Sequence, residues 1–272
     1  MRSVKWNLGL AGESPVVGAV RVLMGQLDLV WEDAAANAAR VESALEREAP
    51  TPGTLVILPE MFGSGFSMDA TRACAGSKEL LSRISGWSRR WRCWILAGLA
   101  LEDTDGPANC AVGFGPDGTE AFRFRKLHGF SPVGEPGVYR PGDSVGVWDV
   151  EGFRLAPFVC YDLRFPEVFR EASRRGADLL VVIANWPARR ERHWLALLQA
   201  RAIENQAWVV GVNRAGSDPS ATYSGRSVVV DPMGVIRADA GEGERWIKAE
   251  IDVAEAQAWR VAFPALRDRR EW

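Results

Sequence analysis

Histidine is nearly absent from this chain, which has only His128 and His193 among its 272 residues. This scarcity excludes a metalloprotease helix with two zinc-binding histidines, a zinc cluster of cysteine and histidine, and a serine hydrolase with a spare histidine base. If the chain hydrolyses a substrate, we expect its general base to be a carboxylate.

Cysteine is also sparse, and none of the four cysteines forms a CxxC pair. A zinc ribbon and a thioredoxin-like redox motif both need such pairs, so neither is expected. A chain of this size without secretory marks does not need disulfides. We therefore expect its thiols to be reduced. These cysteines are Cys74, Cys93, Cys110 and Cys160.

No charge of one sign dominates, and no long apolar run is present. The chain has 33 basic and 35 acidic residues, mixed along its length, which gives a formal net charge of -2. A nucleic-acid-binding protein would show a basic stripe, and a membrane span needs about 18 apolar residues in a row. The first 17 residues also lack the apolar centre of a signal peptide. We therefore predict a cytoplasmic protein that binds neither nucleic acid nor membrane.

Strand-like and helix-like segments alternate along the chain. Residues 18–28 and 54–60 read as buried strands, and apolar residues at helical spacing follow each of them, over 32–48 and around 78–92. The pattern returns in the second half as two strands within 145–160, then strands at 177–187 and 207–216 around a helix at 190–206. These patterns predict an α/β fold with mixed sheets in layers.

The chain shows no Pro/Ser-rich linker and no break in composition, so residues 1–272 are predicted to form a single domain. Its core should run from about 19 to 250, and the tail 253–272 should form a short helix.

A glycine pattern in the middle of the chain resembles a dinucleotide-binding motif. Gly113, Gly115 and Gly118 spell GxGxxG directly after a strand. A true fingerprint must open a helix, whereas residues 119–126 alternate like a strand. We therefore predict a β-hairpin that turns at residues 116–118, and no bound cofactor.

Three polar side chains stand where predicted strands end. Glu60 closes "LVILPE", Lys126 closes "FRFRK" and Cys160 closes "LAPFVC". Each alone is an ordinary residue: a solvated Glu, a solvated Lys or a buried Cys. Ligands of open α/β sheets bind beyond the carboxyl ends of strands, so the three could converge. Together they would supply a nucleophile, a proton acceptor and a cation for an oxyanion.

The segments "LPEMF", "FRKLHGF" and "CYDLRFPE", in that order, resemble the three catalytic motifs of the nitrilase superfamily of carbon-nitrogen hydrolases. The resemblance covers residues 19 to 250 and identifies Glu60, Lys126 and Cys160 with the family's catalytic triad. It implies a four-layer α-β-β-α sandwich, hydrolysis of amides or nitriles through a covalent thioester, and no metal or cofactor. It also implies a homodimer or a higher homo-oligomer.

Glu135, in "GEPGVYRPGD", resembles the second glutamate of the family, although Pro136 after it departs from the pattern. Residues 184–218 resemble the branch of ω-amidases, which hydrolyse ω-amides such as 2-oxoglutaramate and 2-oxosuccinamate. Gly129 stands where a bulkier apolar residue is expected, and its small size predicts a wider pocket.

The strand-end positions and the resemblance together predict a role for each site residue. Cys160 would attack the amide carbonyl, and Lys126 with the Tyr161 N–H would bind the oxyanion. Glu60 would give a proton to the departing ammonia and then take one from the water that cleaves the thioester. Asn185 and Trp186 would line the pocket, and Asp162 and Arg164 would hold the turn.

The segment "ARRER" predicts an anchor for a substrate carboxylate, with Arg190 ahead of Arg189 and Arg192. The alternatives are a hydrolase of N-carbamoyl amino acids, aliphatic amides or nitriles, a catalytically inactive scaffold, and a redox-sensing thiol protein.

Overall fold

The computed structural model describes residues 19–270. The strands of this part of the chain are, in order, β1 (Val20–Gln26), β2 (Leu55–Ile57), β3 (Trp94–Asp103), β4 (Gly106–Phe114), β5 (Glu120–Arg125), β6 (Trp148–Val150), β7 (Phe153–Val159), β8 (Leu179–Ala184), β9 (Trp208–Asn213), β10 (Ala215–Ser217), β11 (Thr222–Ser224), β12 (Val228–Val230), β13 (Ile236–Asp239) and β14 (Arg245–Ile251). The α-helices are α1 (Ala34–Glu48), α2 (Ala70–Cys74), α3 (Ser77–Trp91), α4 (Pro166–Arg174), α5 (Glu191–Asn205) and α6 (Val253–Ala262).

Two six-stranded mixed sheets form the centre of the fold. The first has the order β14-β1-β2-β3-β4-β5, with β1, β2 and β3 parallel and the remaining neighbours antiparallel. The second has the order β13-β12-β9-β8-β7-β6, with β7, β8 and β9 parallel. A two-stranded ladder of β10 and β11 lies beside them. Strands β2, β5, β7, β8 and β9 bring their carboxyl ends to one region.

Apolar residues alternate between the two faces of the first sheet. Val22 and Met24 of β1 belong to the core shared with the second sheet, whereas Leu23 belongs to a cluster with helix residues such as Val41 and Ile84. Alternate side chains of a strand point to opposite faces, so β1 packs against a sheet on one side and helices on the other. On the second sheet the shared core extends to Phe169 and Leu198 of α4 and α5. The predicted α-β-β-α sandwich is confirmed.

Local sequence explains the helix boundaries. Asp33 caps α1 by accepting a hydrogen bond from the Ala36 N–H at 2.9 Å. Pro166 occupies the first turn of α4, where its missing N–H costs nothing, and Gly176 follows the helix with a positive φ of 85°. Both ends of α4 are therefore set by residues suited to them.

The glycine-rich segment is the predicted hairpin. Strands β4 and β5 pair antiparallel, and the Gly118 N–H donates to the Gly115 carbonyl at 2.9 Å within the turn. Gly118 has a φ of +83°. A Cβ there would lie 2.9 Å from the Ser85 carbonyl oxygen, so glycine is needed for both reasons. No helix opens after this motif.

The C-terminal tail packs on the core. Val253 and Ala256 of α6 are buried in the cluster shared by the two sheets, and the Phe263 carbonyl accepts from the Gln206 side chain at 2.7 Å. Helix α2 and the β10–β11 ladder were not predicted from the sequence, because both are too short for a periodic pattern. No helix within residues 19–270 is long and apolar enough to span a membrane.

Candidate active site

The carboxyl ends of strands from both sheets meet at one edge of the sandwich. Glu60 follows β2, Lys126 follows β5, Cys160 follows β7 and Asn185 follows β8. The Asn185 N–H donates to Glu60 Oε2 at 2.8 Å, which joins the two sheets directly at this edge. The three strand-end residues singled out in the sequence therefore converge, and Asn185 lies with them.

Glu60, Lys126 and Glu135 form a buried ionic cluster. Lys126 Nζ donates to Glu60 Oε1 at 2.9 Å and to Glu135 Oε1 and Oε2 at 3.0 and 2.8 Å. None of the three residues is more than 2% exposed. The Phe130 N–H also donates to Glu135 Oε2 at 2.6 Å. Glu135, which the sequence predicts in a loop, is thus the second carboxylate that accepts hydrogen bonds from Lys126.

The ion pair sets the charge state of this cluster. Burial alone would raise the pKa of Glu60, but the charge and hydrogen bond of Lys126 hold it below its usual value. Burial alone would lower the pKa of Lys126, but the negative charges of Glu60 and Glu135 raise it well above its usual value. At neutral pH, Glu60 is therefore ionised and Lys126 is a cation.

A strained turn carries Cys160. Its φ is +46°, in the left-handed region that non-glycine residues rarely adopt. The 3-10 turn that begins at Cys160 is held by buried Asp162, which accepts from the Val159 N–H at 3.1 Å and from the His128 N–H at 2.8 Å. His128 Nδ1 also lies 2.9 Å from Asp162 Oδ1. Asp162 therefore links the turn to the segment after Lys126, as expected for a residue that holds the turn.

The Cys160 thiol is protonated at rest. Burial raises its pKa well above the usual value, and the negative charge of Glu60 raises it further, while Lys126 acts in the opposite direction. The thiol donates to the Asn185 carbonyl at 3.8 Å, a long contact suited to sulfur. A nucleophilic attack by this sulfur therefore needs a base, and Glu60 is the ionised carboxylate beside it.

The other cysteines lie away from this site. Burial raises the pKa of Cys74 to about 11 and the pKa values of Cys93 and Cys110 to about 12. Cys93 and Cys110 are packed in the cluster between the first sheet and its helices, whereas Cys160 contacts the core shared by the two sheets. All four are free thiols.

A small cavity of about 80 Å³ opens at Cys160. Drug-sized ligands occupy pockets of about 300–1,000 Å³, so this cavity suits a molecule of few atoms. Its lining includes Phe66, Phe130, Tyr161, Asn185, Trp186 and Tyr223 on the walls, with Arg164, Arg189 and Arg190 around them. The predicted pocket residues Tyr161, Asn185, Trp186 and Arg190 all lie here.

The structure corrects the role of Arg164 and places Arg190 at the cavity, where it was predicted. Arg164 was expected to hold the turn, but its guanidinium stacks 4.8 Å above the Trp186 ring and lines the cavity. Arg190 lies 5.3 Å over the Phe130 ring, also facing the cavity. Arg192 is exposed and is not part of the lining. Within residues 19–270, neither Arg164 nor Arg190 forms a salt bridge, so their positive charges are available to a ligand.

The expectation that Gly129 widens the pocket is wrong. A Cβ at Gly129 would lie 3.0 Å from Pro136 Cγ, so the proline ring fills the space that a larger residue would take. Gly129 and Pro136, which both depart from the family pattern, therefore lie against each other. Neither lines the cavity at Cys160.

Trp186 is fixed through its backbone. The Asn213 side chain accepts from the Trp186 N–H at 2.7 Å and donates to its carbonyl at 3.0 Å. The Trp186 indole N–H donates to the Arg190 carbonyl at 2.8 Å. The segment between β8 and α5 is therefore rigid where it meets the cavity.

Two residues of the site were missed in the sequence. Asn109 donates to both buried carboxylates, at 2.7 Å to Glu60 Oε1 and 3.0 Å to Glu135 Oε1. Gly98 lies under Glu60: a Cβ there would stand 2.4 Å from the Glu60 Cα. A glycine inside a strand signals a close backbone approach, and a buried asparagine in an apolar strand needs partners. Both signals are visible in the sequence, but neither identifies the partner.

The chain is similar to known carbon-nitrogen hydrolases over nearly its whole length. An ω-amidase from Yersinia enterocolitica is 39% identical over 254 residues, which cover 93% of this chain and 97% of the relative. A 2-oxoglutaramate amidase from Bacillus subtilis is 30% identical over 90% of this chain and 96% of its own.

A solved structure from Xanthomonas campestris, described as a CN-hydrolase superfamily protein with an arsenic adduct in the active site, superposes with a TM-score of 0.87. It is 34% identical and matches 94% of this chain and 98% of its own. The family model for carbon-nitrogen hydrolases matches residues 21–261. With this match and these relatives, the chain belongs to the carbon-nitrogen hydrolase family, within the nitrilase superfamily.

Proposed function

We propose that this protein is an ω-amidase that hydrolyses short linear amides with a carboxylate at the far end, such as 2-oxoglutaramate and 2-oxosuccinamate. One observation carries the proposal: a buried Glu60–Lys126–Glu135 cluster lies beside Cys160 at a small cavity lined by arginines that form no salt bridge within residues 19–270. The curated relatives described as ω-amidases and 2-oxoglutaramate amidase support the same substrate class.

The proposed first half-reaction forms a thioester. Cys160 Sγ attacks the amide carbonyl carbon while its proton passes to Glu60, because the thiol is protonated at rest and Glu60 is ionised. The oxyanion accepts hydrogen bonds from Lys126 and from the Tyr161 N–H, since the first N–H groups of a helical turn have no partner within it. Glu60 then gives its proton to the amide nitrogen, the C–N bond breaks, and ammonia leaves.

The second half-reaction reverses the roles. Glu60 takes a proton from water, the hydroxyl oxygen attacks the thioester carbonyl, and the C–S bond breaks as the sulfur regains a proton from Glu60. The products are a dicarboxylic acid and the free thiol. Glu135 does not face the thiol in this scheme. It holds Lys126 in place and keeps it charged through two hydrogen bonds.

The substrate's carboxylate is assigned to the arginines of the cavity. Arg190 and Arg164 reach it from two sides, over Phe130 and Trp186. Arginine binds carboxylates in a bidentate manner, and neither guanidinium is neutralised by an acidic side chain within residues 19–270. The two rings restrict the guanidinium groups, which lowers the entropy lost on binding.

An ammonia-release assay tests the substrate class. We expect the wild-type enzyme to prefer 2-oxoglutaramate and 2-oxosuccinamate over butyramide, an N-carbamoyl amino acid and an aliphatic nitrile. Arg190→Ala should raise KM for the charged amides and leave butyramide unchanged, because the anchor binds substrate and transition state alike. Arg192→Ala is the matched control, since Arg192 is exposed outside the cavity. A wild-type preference for butyramide would contradict the proposal.

The two rival classes are disfavoured by the site. A redox sensor needs a partner thiol, but Cys74, Cys93 and Cys110 are buried in other clusters. An inactive scaffold would not need to keep two carboxylates and a lysine buried together, because such a cluster is costly to desolvate. An N-carbamoyl amino acid also carries a carboxylate, so the substrate assay must include it.

Domain organisation, assembly and location are also proposals. We infer one domain over residues 19–270, because the cluster shared by both sheets also includes α6; the rest of the predicted 1–272 domain lies outside the described residues. The family resemblance supports a homodimer or a higher homo-oligomer, which light scattering after size-exclusion chromatography would measure. Free cysteines suit a reducing compartment, and we place the enzyme in the cytoplasm on that ground.

A further inference from the structure

Asn109 occupies the centre of the buried ionic cluster. It lies on β4, is 1% exposed, and its backbone carbonyl accepts from the Lys126 N–H at 2.9 Å. Its amide nitrogen donates to Glu60 Oε1 and Glu135 Oε1. Lys126 Nζ donates to the same two oxygen atoms, at 2.9 and 3.0 Å. Two nitrogen donors therefore bridge one pair of carboxylate oxygens, with Lys126 on one side and Asn109 on the other.

The side chain of Asn109 has one possible orientation. Its oxygen would repel both carboxylates if the amide were turned over, so the nitrogen must face them. The Asn109 Oδ1 atom then has no hydrogen-bond partner within the described residues, although it is buried. Buried polar atoms without partners are rare and destabilise a fold. We take a buried polar atom without a partner at this position as a sign that Asn109 has a role other than stability.

The reaction explains why a second bridge is useful. Lys126 must turn one N–H towards the oxyanion, and its hold on the two carboxylates weakens at that moment. Two carboxylates this close repel each other, which favours protonation of one of them. Asn109 carries no charge that the reaction changes, and its N–H groups can keep both oxygens in place while Lys126 moves.

Resting on the proposed mechanism, we propose that Asn109 is a positioning residue that holds Glu60 ionised and aimed at the Cys160 thiol by bridging it to Glu135. It touches neither the substrate nor the sulfur. The titratable groups that face Glu60 and Glu135 are Lys126, Cys160 and Tyr139. Of these, only Lys126 also bridges the two carboxylates.

The test measures the pH dependence of alkylation of Cys160 by iodoacetamide, followed by mass spectrometry of the Cys160 peptide. Asn109→Leu keeps the size of the side chain and removes both donors. Without them, Glu60 binds its proton more tightly, so we expect the acidic limb of the alkylation profile to move to higher pH. Asn109→Asp adds a third carboxylate at the same place and should move the limb further.

The same variants should lose about tenfold or more in kcat/KM on 2-oxoglutaramate, with the loss mainly in kcat. Cys110→Ala is the matched control, since Cys110 is the next residue on β4 and points into the other cluster. It should leave the acidic limb unchanged. A limb at the wild-type position in both Asn109 variants would overturn the inference. Shifted alkylation limbs in a protein that hydrolyses no ω-amide would refute the proposed function and leave the role of Asn109 standing.

Discussion

Cys160 shows how a single residue is prepared for chemistry by its backbone. Its φ of +46° costs about 1–3 kcal/mol in a non-glycine residue, and the hydrogen bonds that Asp162 accepts from the Val159 and His128 N–H groups hold it there. This conformation directs the sulfur at the cavity while the strand before it stays in the sheet. The high pKa of the thiol means that the geometry with Glu60, rather than a preformed thiolate, provides reactivity.

Cys160→Ala should abolish hydrolysis and leave the fold intact, because the substitution removes one sulfur atom beside the cavity and leaves the strand before it packed. Steady-state ammonia release and circular dichroism measure the two effects. Cys93→Ala is the control: it removes a buried sulfur far from the site and should lower stability by about 1 kcal/mol while activity persists. Turnover by Cys160→Ala would show that another group is the nucleophile.

Lys126 is the residue on which both carboxylates depend. Lys126→Met should lower kcat by about 10² to 10³, the usual loss for an oxyanion donor. It should also destabilise the protein by about 3–5 kcal/mol, because two buried carboxylates lose their counterion.

The pH dependence of that destabilisation follows from the sign of the shift. In the wild type, the pKa of Glu60 is lowered on folding, so its contribution to stability is present above about pH 4.5 and is lost as the pH falls further. Without Lys126, burial raises the pKa of Glu60, and stability is gained as this carboxylate is protonated. The gap in Tm between the wild type and Lys126→Met should therefore narrow from pH 7 towards pH 4.5. A constant gap would contradict this account.

At the scale of elements, the site depends on how closely strand β3 approaches the turn after β2. Gly98 has no room for a side chain, since a Cβ would stand 2.6 Å from the Pro59 carbonyl oxygen and 2.8 Å from the Met61 nitrogen. The Phe62 N–H donates to the Gly98 carbonyl at 2.9 Å and holds that turn against the strand. The position of Glu60 is therefore set by a neighbouring strand.

Gly98→Ala should move the Glu60 backbone and lower kcat by about 10²-fold, the loss expected when a catalytic group is displaced by about 1 Å. Gly86→Ala is the matched control: a Cβ there meets nothing within 4 Å, and alanine in helix α3 should stabilise the protein by up to about 1 kcal/mol. Kinetics and thermal melts of both variants separate the two effects. Normal activity of Gly98→Ala would show that Glu60 tolerates the shift.

At the scale of the whole molecule, the two sheets share one core. Phe158 of β7 stacks on Phe169 of α4 at 3.9 Å and meets Phe124 of β5 edge-on at 6.0 Å, so one side chain contacts the second sheet's helix and the first sheet. Gln26 of β1 also accepts from the Ser227 N–H at 2.8 Å across the sandwich. Neither sheet can keep its packing without the other.

This shared core predicts a single unfolding transition. Far-ultraviolet and near-ultraviolet circular dichroism should give coincident melting curves. Phe158→Ala should shift both by the same amount, with a loss of about 3–5 kcal/mol. Separate shifts of the two curves would indicate two independent units and would contradict the single-domain proposal.

Strands and their polar ends follow local rules, so the sequence allowed the layered fold and the strand-end residues of the site to be predicted. The family resemblance added Glu135. Glu60, Lys126 and Cys160 each close a strand, and the parallel strands carry them to one edge. Asn109 and the stacking of Arg164 on Trp186 could not be predicted, because each depends on residues distant in the sequence. The effect of Gly129 was misjudged for the same reason: Pro136 fills its space.

The central claim is that Cys160 forms a thioester with the acyl part of an ω-amide. Its most direct test is rapid-quench mass spectrometry of the wild-type enzyme mixed with 2-oxoglutaramate. The account predicts a transient adduct on the Cys160 peptide, with the mass of the substrate less ammonia, that forms before steady-state turnover and decays when substrate is exhausted. Turnover without this adduct, or an adduct confined to another residue, would contradict it.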